Sequence, residues 1–149
     1  MAIKIRPLEA SDKPRWRELF GGYLTFYKAT LPEDTIELTF ERLMGGGEWD
    51  HHGLVAVDEA GKVQGMTHYV FQRSTWSKTV YCYLEDLFVD PAFRGGGAGA
   101  ALIKAVYKAA EEKGATRTYW NTQEFNYMGR MLYDKVGVKT PFIQYRKPD

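Results

Sequence analysis

Residues 84–99 place a strand, a proline turn and a glycine-rich loop directly before an amphipathic helix. The loop holds four glycines in the five positions from 95 to 99. Because glycine lacks a Cβ atom, a ligand can closely approach the backbone N–H groups of such a loop. Those groups lie at the positive end of the following helix, so the segment predicts an anion site suited to phosphate. Arg94 adds a charged guanidinium beside this site.

Two other phosphate-binding motifs agree less well with these residues. A Walker loop needs Lys followed by Ser or Thr at the start of the helix, where Ala100 and Ala101 stand. The segment 95–100 satisfies the loose dinucleotide pattern G-x-G-x-x-A, so a dinucleotide-binding oxidoreductase is an alternative. That fold also needs an acidic residue near the end of the next strand, where the sequence reads Tyr119-Trp120-Asn121, and several further parallel units. The sequence therefore disfavours this alternative.

Hydrophobic periodicity and turn residues predict the element order β-α-α-β-β-β-α-β-α-β. The predicted strands are residues 2–6, 54–57, 63–71, 79–89, 117–121 and an edge strand at 142–146; the predicted helices begin near Ser11 and Glu33 and cover 97–112 and 126–135. This order predicts an α/β (α+β) fold. Its sheet is mixed and mostly antiparallel, with a central parallel β-α-β crossover and helices on both faces.

Composition and charge limit the classes of function. The chain of 149 residues is 44 % hydrophobic, which fits a single folded domain over residues 1–149. A formal charge of +1 gives no support for binding nucleic acid or a membrane surface. The single cysteine, Cys82, and three histidines make no metal-binding pattern, so no metal is expected. The sequence has no signal-peptide pattern and no membrane-spanning apolar run, so a cytoplasmic location is expected.

The glycine-rich loop resembles the signature of the GNAT superfamily of acetyl-CoA-dependent N-acetyltransferases, Arg/Gln-x-x-Gly-x-Gly/Ala. Here it is complete as Arg94-Gly95-Gly96-Gly97-Ala98-Gly99, and the element order along essentially the whole chain is similar to that family's fold. The stretch from Trp120 to Arg146 looks like the subgroup that contains yeast histone and polyamine acetyltransferases. The resemblance implies an acyl-CoA N-acyltransferase fold, acetyl-CoA as co-substrate and a homodimer.

The resemblance also implies which residues hold acetyl-CoA. Backbone groups of Leu87, Phe88 and Val89 would pair with the pantetheine arm. The pyrophosphate would be held by the N–H groups of Arg94, Gly95, Gly96, Gly97, Ala98 and Gly99. Asn126 would contact the cofactor, and Tyr133 would protonate the departing thiolate. Gly129 departs from the family pattern Asn-x-x-Ala-x-x-x-Tyr, in which alanine is frequent at this position.

Glu85 is the candidate catalytic base. Amide formation requires a neutral amine, whereas a primary amine with a pKa of about 10.4 is protonated near neutrality. Strand alternation places Glu85 on the same face as Tyr83, Leu87 and Val89, and it places Asp86 on the other face, where a structural role is expected. A simple salt bridge at Glu85 and simple packing of Tyr133 are the alternatives to catalysis.

The expected acceptor is a small or flexible cationic amine: a polyamine, an amino acid, or a lysine side chain of a peptide. Acidic residues of the second helix favour a cationic acceptor, because the resemblance implies that this helix flanks the acceptor cleft, as it does in GNAT folds. These residues are Glu33, Asp34, Glu37 and Glu41. The non-enzymatic alternative is a domain that binds acyl-CoA as a sensor or partner module. It would keep the loop but lack a working Glu85 or Tyr133.

Overall fold

The computed structural model describes residues 2–149, and within them the chain forms five strands and four α-helices. The strands are β1 (Lys4–Pro7), β2 (His52–Val57), β3 (Val63–Gln72), β4 (Tyr81–Val89) and β5 (Arg117–Tyr119). The helices are α1 (Lys13–Phe26), α2 (Glu33–Gly45), α3 (Ala98–Lys113) and α4 (Tyr127–Val136). Apart from the edge strand at 142–146, each predicted element is present, with bounds that differ by a few residues at most.

The strands make one sheet in the order β1-β2-β3-β4-β5. The chain runs from β1 to β2 through α1 and α2, and short loops join β2 to β3 and β3 to β4. The first four strands are antiparallel neighbours, whereas β5 lies parallel to β4 and is reached through α3. A parallel neighbour needs such a crossover connection, and here a helix supplies it. The prediction of a mixed, mostly antiparallel sheet is therefore confirmed.

Helices cover both faces of the sheet. On one face, α1 and α2 pack through Trp16, Phe20 and Phe40 against Val55 and Met66. On the other face, α3 packs against the strands. Its contacts include Ile103 and Val106 of the helix with Cys82 and Leu84 of β4. Alternation along the strands supplies apolar side chains to both layers, which is the pattern expected for a sheet buried on two sides.

The predicted edge strand at residues 142–146 is wrong. The segment has no regular structure, and its large apolar side chains are exposed: Phe142 by 78 %, Ile143 by 77 % and Tyr145 by 89 %. A segment of β-forming residues becomes a strand only beside a neighbour that can accept its hydrogen bonds. The outermost strand, β5, is only three residues long, so it offers little backbone to such a neighbour.

Candidate functional site

A β-bulge in β4 lies at the centre of the candidate site. His68 of β3 pairs with Asp86 and Tyr69 pairs with Leu84, so Glu85 is the extra residue. A bulge interrupts period-two alternation. Leu84 and Leu87 consequently pack on the same side, against the layer that contains α3.

The bulge overturns the predicted orientation of the β4 side chains. Leu87 and Val89 pack on the α3 side of the sheet, whereas Glu85 and Asp86 line one cleft on the side of α1 and α2. The prediction that Glu85 shares a face with Leu87 and Val89, opposite Asp86, is therefore wrong. The two neighbouring carboxylates lie at the same cleft.

Two recesses meet at Glu85 and Tyr23. A narrow crevice opens where β4 and β5 separate, and its lining is Tyr23, Tyr27, Leu84, Glu85, Leu87, Ile103, Trp120, Asn121 and Tyr133. A wider cleft of about 330 Å³ lies beside α1 and α2, and its lining is Phe20, Tyr23, Leu24, Leu31, Thr35, Thr39, Arg42, His51, His68, Glu85 and Asp86. A reaction between a molecule in the crevice and one in the cleft would therefore take place beside Glu85.

The crevice exists because β4 is much longer than β5. The two strands pair only from Tyr81 to Tyr83, and β4 then continues to Val89 with no neighbour on that side in the described chain. The backbone edge from Leu84 to Val89 is consequently open to an extended ligand, which could add to it as a strand adds to a sheet. Leu87, Phe88 and Val89, the residues predicted to hold a pantetheine arm, lie along this open edge.

The glycine-rich loop brings backbone N–H groups to the start of α3. Gly95 and Gly97 have φ angles of 88° and 91°, a left-handed conformation that favours glycine. No backbone carbonyl within residues 2–149 accepts a hydrogen bond from the N–H groups of Gly95, Gly96 or Gly97. The first N–H groups of α3 are also free, as in any helix. This continuous run of donors can hold an anion.

Arg94 and Gly99 frame the loop in different ways. The Nε of Arg94 donates to the carbonyl oxygen of Val89 at 3.0 Å, and the guanidinium lies over the Phe88 ring. This arrangement holds the charge beside the loop and leaves terminal N–H groups for a ligand. Gly99 lies against α4, since a Cβ atom there would come within 2.9 Å of Leu132 Cδ2. Gly99 therefore also permits close packing of α3 and α4.

Tyr133 projects from α4 into the crevice. Its ring packs edge-on against Trp120, with the centroids 5.7 Å apart. Burial raises the pKa of Tyr133 to about 12, so the phenol keeps its proton at neutral pH. A protonated phenol in this crevice can donate a proton to a leaving group.

Asn126 is the N-cap of α4. Its side-chain oxygen accepts a hydrogen bond from the Gly129 N–H at 3.2 Å, and its Nδ2 donates to Thr122 Oγ1 at 2.9 Å. Sequence reasoning missed this cap, although Asn at a helix start is a recognised signal for it. A Cβ atom at position 129 would lie 2.5 Å from Asn126 Nδ2, which explains why glycine suits that position. The cofactor contact of Asn126 stays a prediction.

His51 is a site residue that sequence reasoning missed. Its Nε2 lies 2.5 Å from Glu85 Oε1, and the Glu85 side chain is 44 % exposed. The hydrogen bond that His51 donates to the Glu85 carboxylate raises the pKa of His51 above its ordinary value. The local sequence favours a surface loop, and only the fold brings His51 to β4.

Asp86 ends a buried hydrogen-bonded chain. Trp16 Nε1 donates to His68 Nε2 at 2.9 Å, so the proton of a neutral His68 is on Nδ1, which donates to Asp86 Oδ2 at 2.8 Å. His68 is almost completely buried. Burial and the nearby Asp86 charge raise the pKa of Tyr23. The chain therefore holds the Asp86 carboxylate in a fixed position at the cleft.

The acidic residues of α2 do not line the cleft. Glu33 pairs with Arg17, and Glu37 pairs with Lys13 at 2.5 Å; both bonds tie α2 to α1. From α2 the cleft is instead lined by Thr35, Thr39 and Arg42, and Leu31 lines it from just before the helix. The expectation that α2 supplies negative charge to the acceptor is wrong on this geometry.

Comparison with known proteins identifies the family. Residues 14–138 match the family described as acetyltransferase (GNAT) family. The chain is 32 % identical to the D-amino-acid N-acetyltransferase HPA3 of Saccharomyces cerevisiae, over 97 % of this chain and 90 % of that protein. The chain belongs to the GNAT acetyltransferase family.

Two further similarities agree with this GNAT assignment. The chain is 32 % identical to thialysine N-epsilon-acetyltransferase of Bos taurus, over 71 % of this chain and 68 % of that protein. Its fold matches the solved structure of AAC(6')-Iy in complex with the bisubstrate analog CoA-S-monomethyl-acetylneamine. That match has a TM-score of 0.82 and 21 % identity, and it covers both chains completely.

GNAT membership confirms the predicted enzyme class: the protein is an N-acetyltransferase. The mostly antiparallel sheet also differs from the parallel sheet of a dinucleotide-binding fold, so the oxidoreductase alternative is wrong. Among residues 2–149, no group of three or more His, Cys, Asp or Glu side chains is arranged to hold a metal ion. The helices described in this GNAT chain include none long and apolar enough to cross a membrane.

Proposed function

We propose that this protein transfers the acetyl group of acetyl-CoA to a primary amine, which attacks the thioester directly. The observation that carries the proposal is the position of Glu85, which lines both the crevice beside β4 and the wider cleft. The named relatives act on amines, and a structural neighbour was solved with a CoA-containing analog. These similarities support the amine acceptor and the CoA donor.

The residues present fit acetyl-CoA from its phosphates to its thioester. The free N–H groups of residues 95–100 and the guanidinium of Arg94 would bind the pyrophosphate. The open edge of β4 at Leu87, Phe88 and Val89 would pair with the pantetheine amides. When bound, acetyl-CoA supplies the activated acetyl group. The crevice would place that group between Glu85 and Tyr133.

Glu85 accepts the proton that the ammonium group must lose before it can attack. Its contact with His51 gives a second group that can share this proton. The amine nitrogen then forms the C–N bond while the C–S bond breaks. The Tyr133 hydroxyl donates its proton to the departing sulfur. The hydroxyl still carries this proton at neutral pH because its pKa is raised to about 12. The nitrogen loses its second proton as the amide forms, and that proton restores the Tyr133 hydroxyl, while the proton held by Glu85 passes to solvent.

A thiol-release assay with acetyl-CoA and a mixed panel of amines tests the proposal. The panel includes polyamines, amino acids, aminoglycosides and a lysine-containing peptide. We expect CoA thiol to appear with at least one amine and the acetylated amine to appear in equal amount. Tight CoA binding by calorimetry with no turnover on any amine would instead favour the acyl-CoA sensor.

We also propose a homodimer. The support is the exposed C-terminal segment, in which Phe142, Ile143 and Tyr145 present apolar side chains to solvent. Large exposed apolar patches commonly mark protein–protein contacts. A second copy of the chain could cover them, although not through the edge strand that the sequence predicts.

A further inference from the structure

We propose that the wide cleft selects an acceptor that carries a carboxylate as well as the reacting amine, with Arg42 as the residue that binds the carboxylate. This inference rests on the proposed function, since it specifies the acceptor of the same reaction. It makes the acceptor a free amino acid, and it excludes polyamines from the classes that the sequence left open.

The first observation is the uncommitted charge of Arg42. Its side chain lines the cleft, and it makes no ion pair with any residue of the described chain. By contrast, Lys13, Arg15 and Arg17 are all paired with carboxylates of the protein. A guanidinium offers planar, charged donors that match a carboxylate in geometry. Arg42 is therefore available to an anionic group in the cleft.

The second observation is the arrangement of α2. Thr35, Thr39 and Arg42 are spaced by four and three residues, so they lie on one face of the helix, and all three line the cleft. The Thr39 hydroxyl donates to the Thr35 carbonyl at 2.9 Å. The face thus combines one positive charge with neutral hydroxyl groups, and it contributes no carboxylate to the cleft.

The third observation is the opposite charge across the cleft. The carboxylates of Glu85 and Asp86 enter it from β4, and Asp86 is held in position by a hydrogen bond with His68. The remaining titratable groups of the lining are Tyr23, His51 and His68; His51 is held by Glu85. An acceptor with an ammonium group toward β4 and a carboxylate toward α2 would match both charges. The distal ammonium of a polyamine would instead face Arg42.

The size of the cleft agrees with such a molecule. Its volume of about 330 Å³ is at the small end of the range of roughly 300–1,000 Å³ for small-molecule sites. Two relatives support the same class, because their names specify a D-amino acid and thialysine as acceptors. Charge and volume together therefore favour a free amino acid over a long polyamine.

The test compares each amino acid, in both enantiomers, with the amine that remains when its carboxylate is removed. Phenylalanine is paired with phenethylamine, and lysine with cadaverine. We expect the wild-type kcat/KM to be roughly ten- to a hundred-fold higher for the amino acid than for the amine. This ratio is the size of effect that hydrogen bonds to a charged group contribute. Arg42→Met should collapse this ratio, and Arg42→Glu should reverse it in favour of cadaverine. Arg73→Met, at an exposed arginine outside the cleft, is the matched control.

Binding to the CoA-loaded protein, measured by calorimetry, separates the two proposals. Turnover with no preference for a carboxylate, or a preference that Arg42→Met leaves intact, would overturn the Arg42 site while the acetyltransferase proposal stands. Another outcome is that the protein binds the amino acid in a way that depends on both the carboxylate and Arg42, yet shows no turnover. That result would support the Arg42 site and reject the proposed reaction. If neither turnover nor binding depends on the carboxylate, the Arg42 site is wrong.

Discussion

Glu85 and Asp86 are neighbours on β4, but their surroundings assign them different roles. Asp86 accepts a hydrogen bond from buried His68, which is itself held by Trp16. The Glu85 side chain is about half exposed, and its carboxylate is hydrogen-bonded to the side chain of His51. A proton acceptor must gain and lose a proton in each cycle, which an exposed carboxylate can do more readily than one fixed in a buried chain. We therefore expect Glu85, rather than Asp86, to act as the base, and Asp86 to hold His68 in place.

The first prediction concerns the pH dependence set by Glu85 and His51. Hydrogen bonding to Glu85 stabilises the charged imidazole, so Glu85→Gln should lower the pKa of His51 toward its ordinary value near 6.5. Activity of the wild type should rise with pH as the pair loses its proton. The variant should lose most activity near neutral pH and recover partly at alkaline pH, where the amine is neutral. An NMR titration of His51 and a pH profile of kcat/KM measure both effects.

A matched control for that prediction is Glu48→Gln, which removes a surface carboxylate that pairs with Lys113 away from the cleft. It should leave the pH profile as in the wild type. Equal activity of Glu85→Gln and the wild type across the whole pH range would remove Glu85 from the mechanism.

The second prediction concerns Tyr133. Tyr133→Phe keeps the ring packed against Trp120 and removes the hydroxyl, so turnover should fall by about a hundredfold or more where chemistry limits the rate. CoA affinity should change little. Tyr127→Phe, on the exposed side of the same helix, is the control and should behave as the wild type. Stopped-flow single-turnover kinetics measure the chemical step directly. If that step is as fast in Tyr133→Phe as in the wild type, Tyr133 has only a packing role.

At the scale of secondary structure, the helices and most strands could be predicted, but the β4 bulge could not. Helical periodicity and glycine stops place α2 and α3 within a residue or so of their observed bounds. Period-two alternation assumes a regular strand, whereas Glu85 is an inserted residue relative to β3. Alternation consequently gives the wrong faces for Asp86 and Leu87. The position of a bulge depends on how the strand is aligned with its partner, and the residues of β4 alone do not specify that alignment.

The third prediction tests the cap of α4. Asn126→Ala removes the acceptor of the Gly129 N–H, so the free energy of unfolding should fall by about 1 kcal/mol. Asn126→Ser restores a side-chain oxygen and should recover most of that loss. Urea unfolding measures both variants. If Asn126→Ala and the wild type unfold at the same urea concentration, the cap contributes no stability, and a direct cofactor contact becomes the better account of Asn126.

The fourth prediction tests the anion site formed by the loop before α3. A Gly99 variant would also disturb the contact with Leu132, so Arg94 is the cleaner position. Arg94→Gln should weaken CoA binding by about tenfold, because it removes charged donors to the pyrophosphate. Binding of pantetheine, which has no pyrophosphate, should not change. Calorimetry that shows equal loss for both ligands would mean that Arg94 acts through the Phe88 contact rather than through phosphate.

At the scale of the whole molecule, the site arises from parts that are distant in sequence. His51 precedes β2, Arg42 lies on α2 and Tyr133 on α4, yet all three border the recesses around Glu85. Local patterns identified Glu85, Tyr133 and the glycine-rich loop because their spacing resembles a known family. They gave no sign of His51 or Arg42, which are ordinary surface residues until α1, α2 and β4 pack together.

The last prediction concerns assembly. Phe142, Ile143 and Tyr145 are exposed in a segment without regular structure, and burying such side chains releases free energy in proportion to apolar area. We therefore expect the protein to form a dimer that covers this segment, and Ile143→Asp to shift it toward monomer. Trp76→Asp is the control, since Trp76 is equally exposed but precedes β4. Light scattering that shows a wild-type monomer at high micromolar concentration would reject the dimer, and a dimer unaffected by Ile143→Asp would place its interface elsewhere.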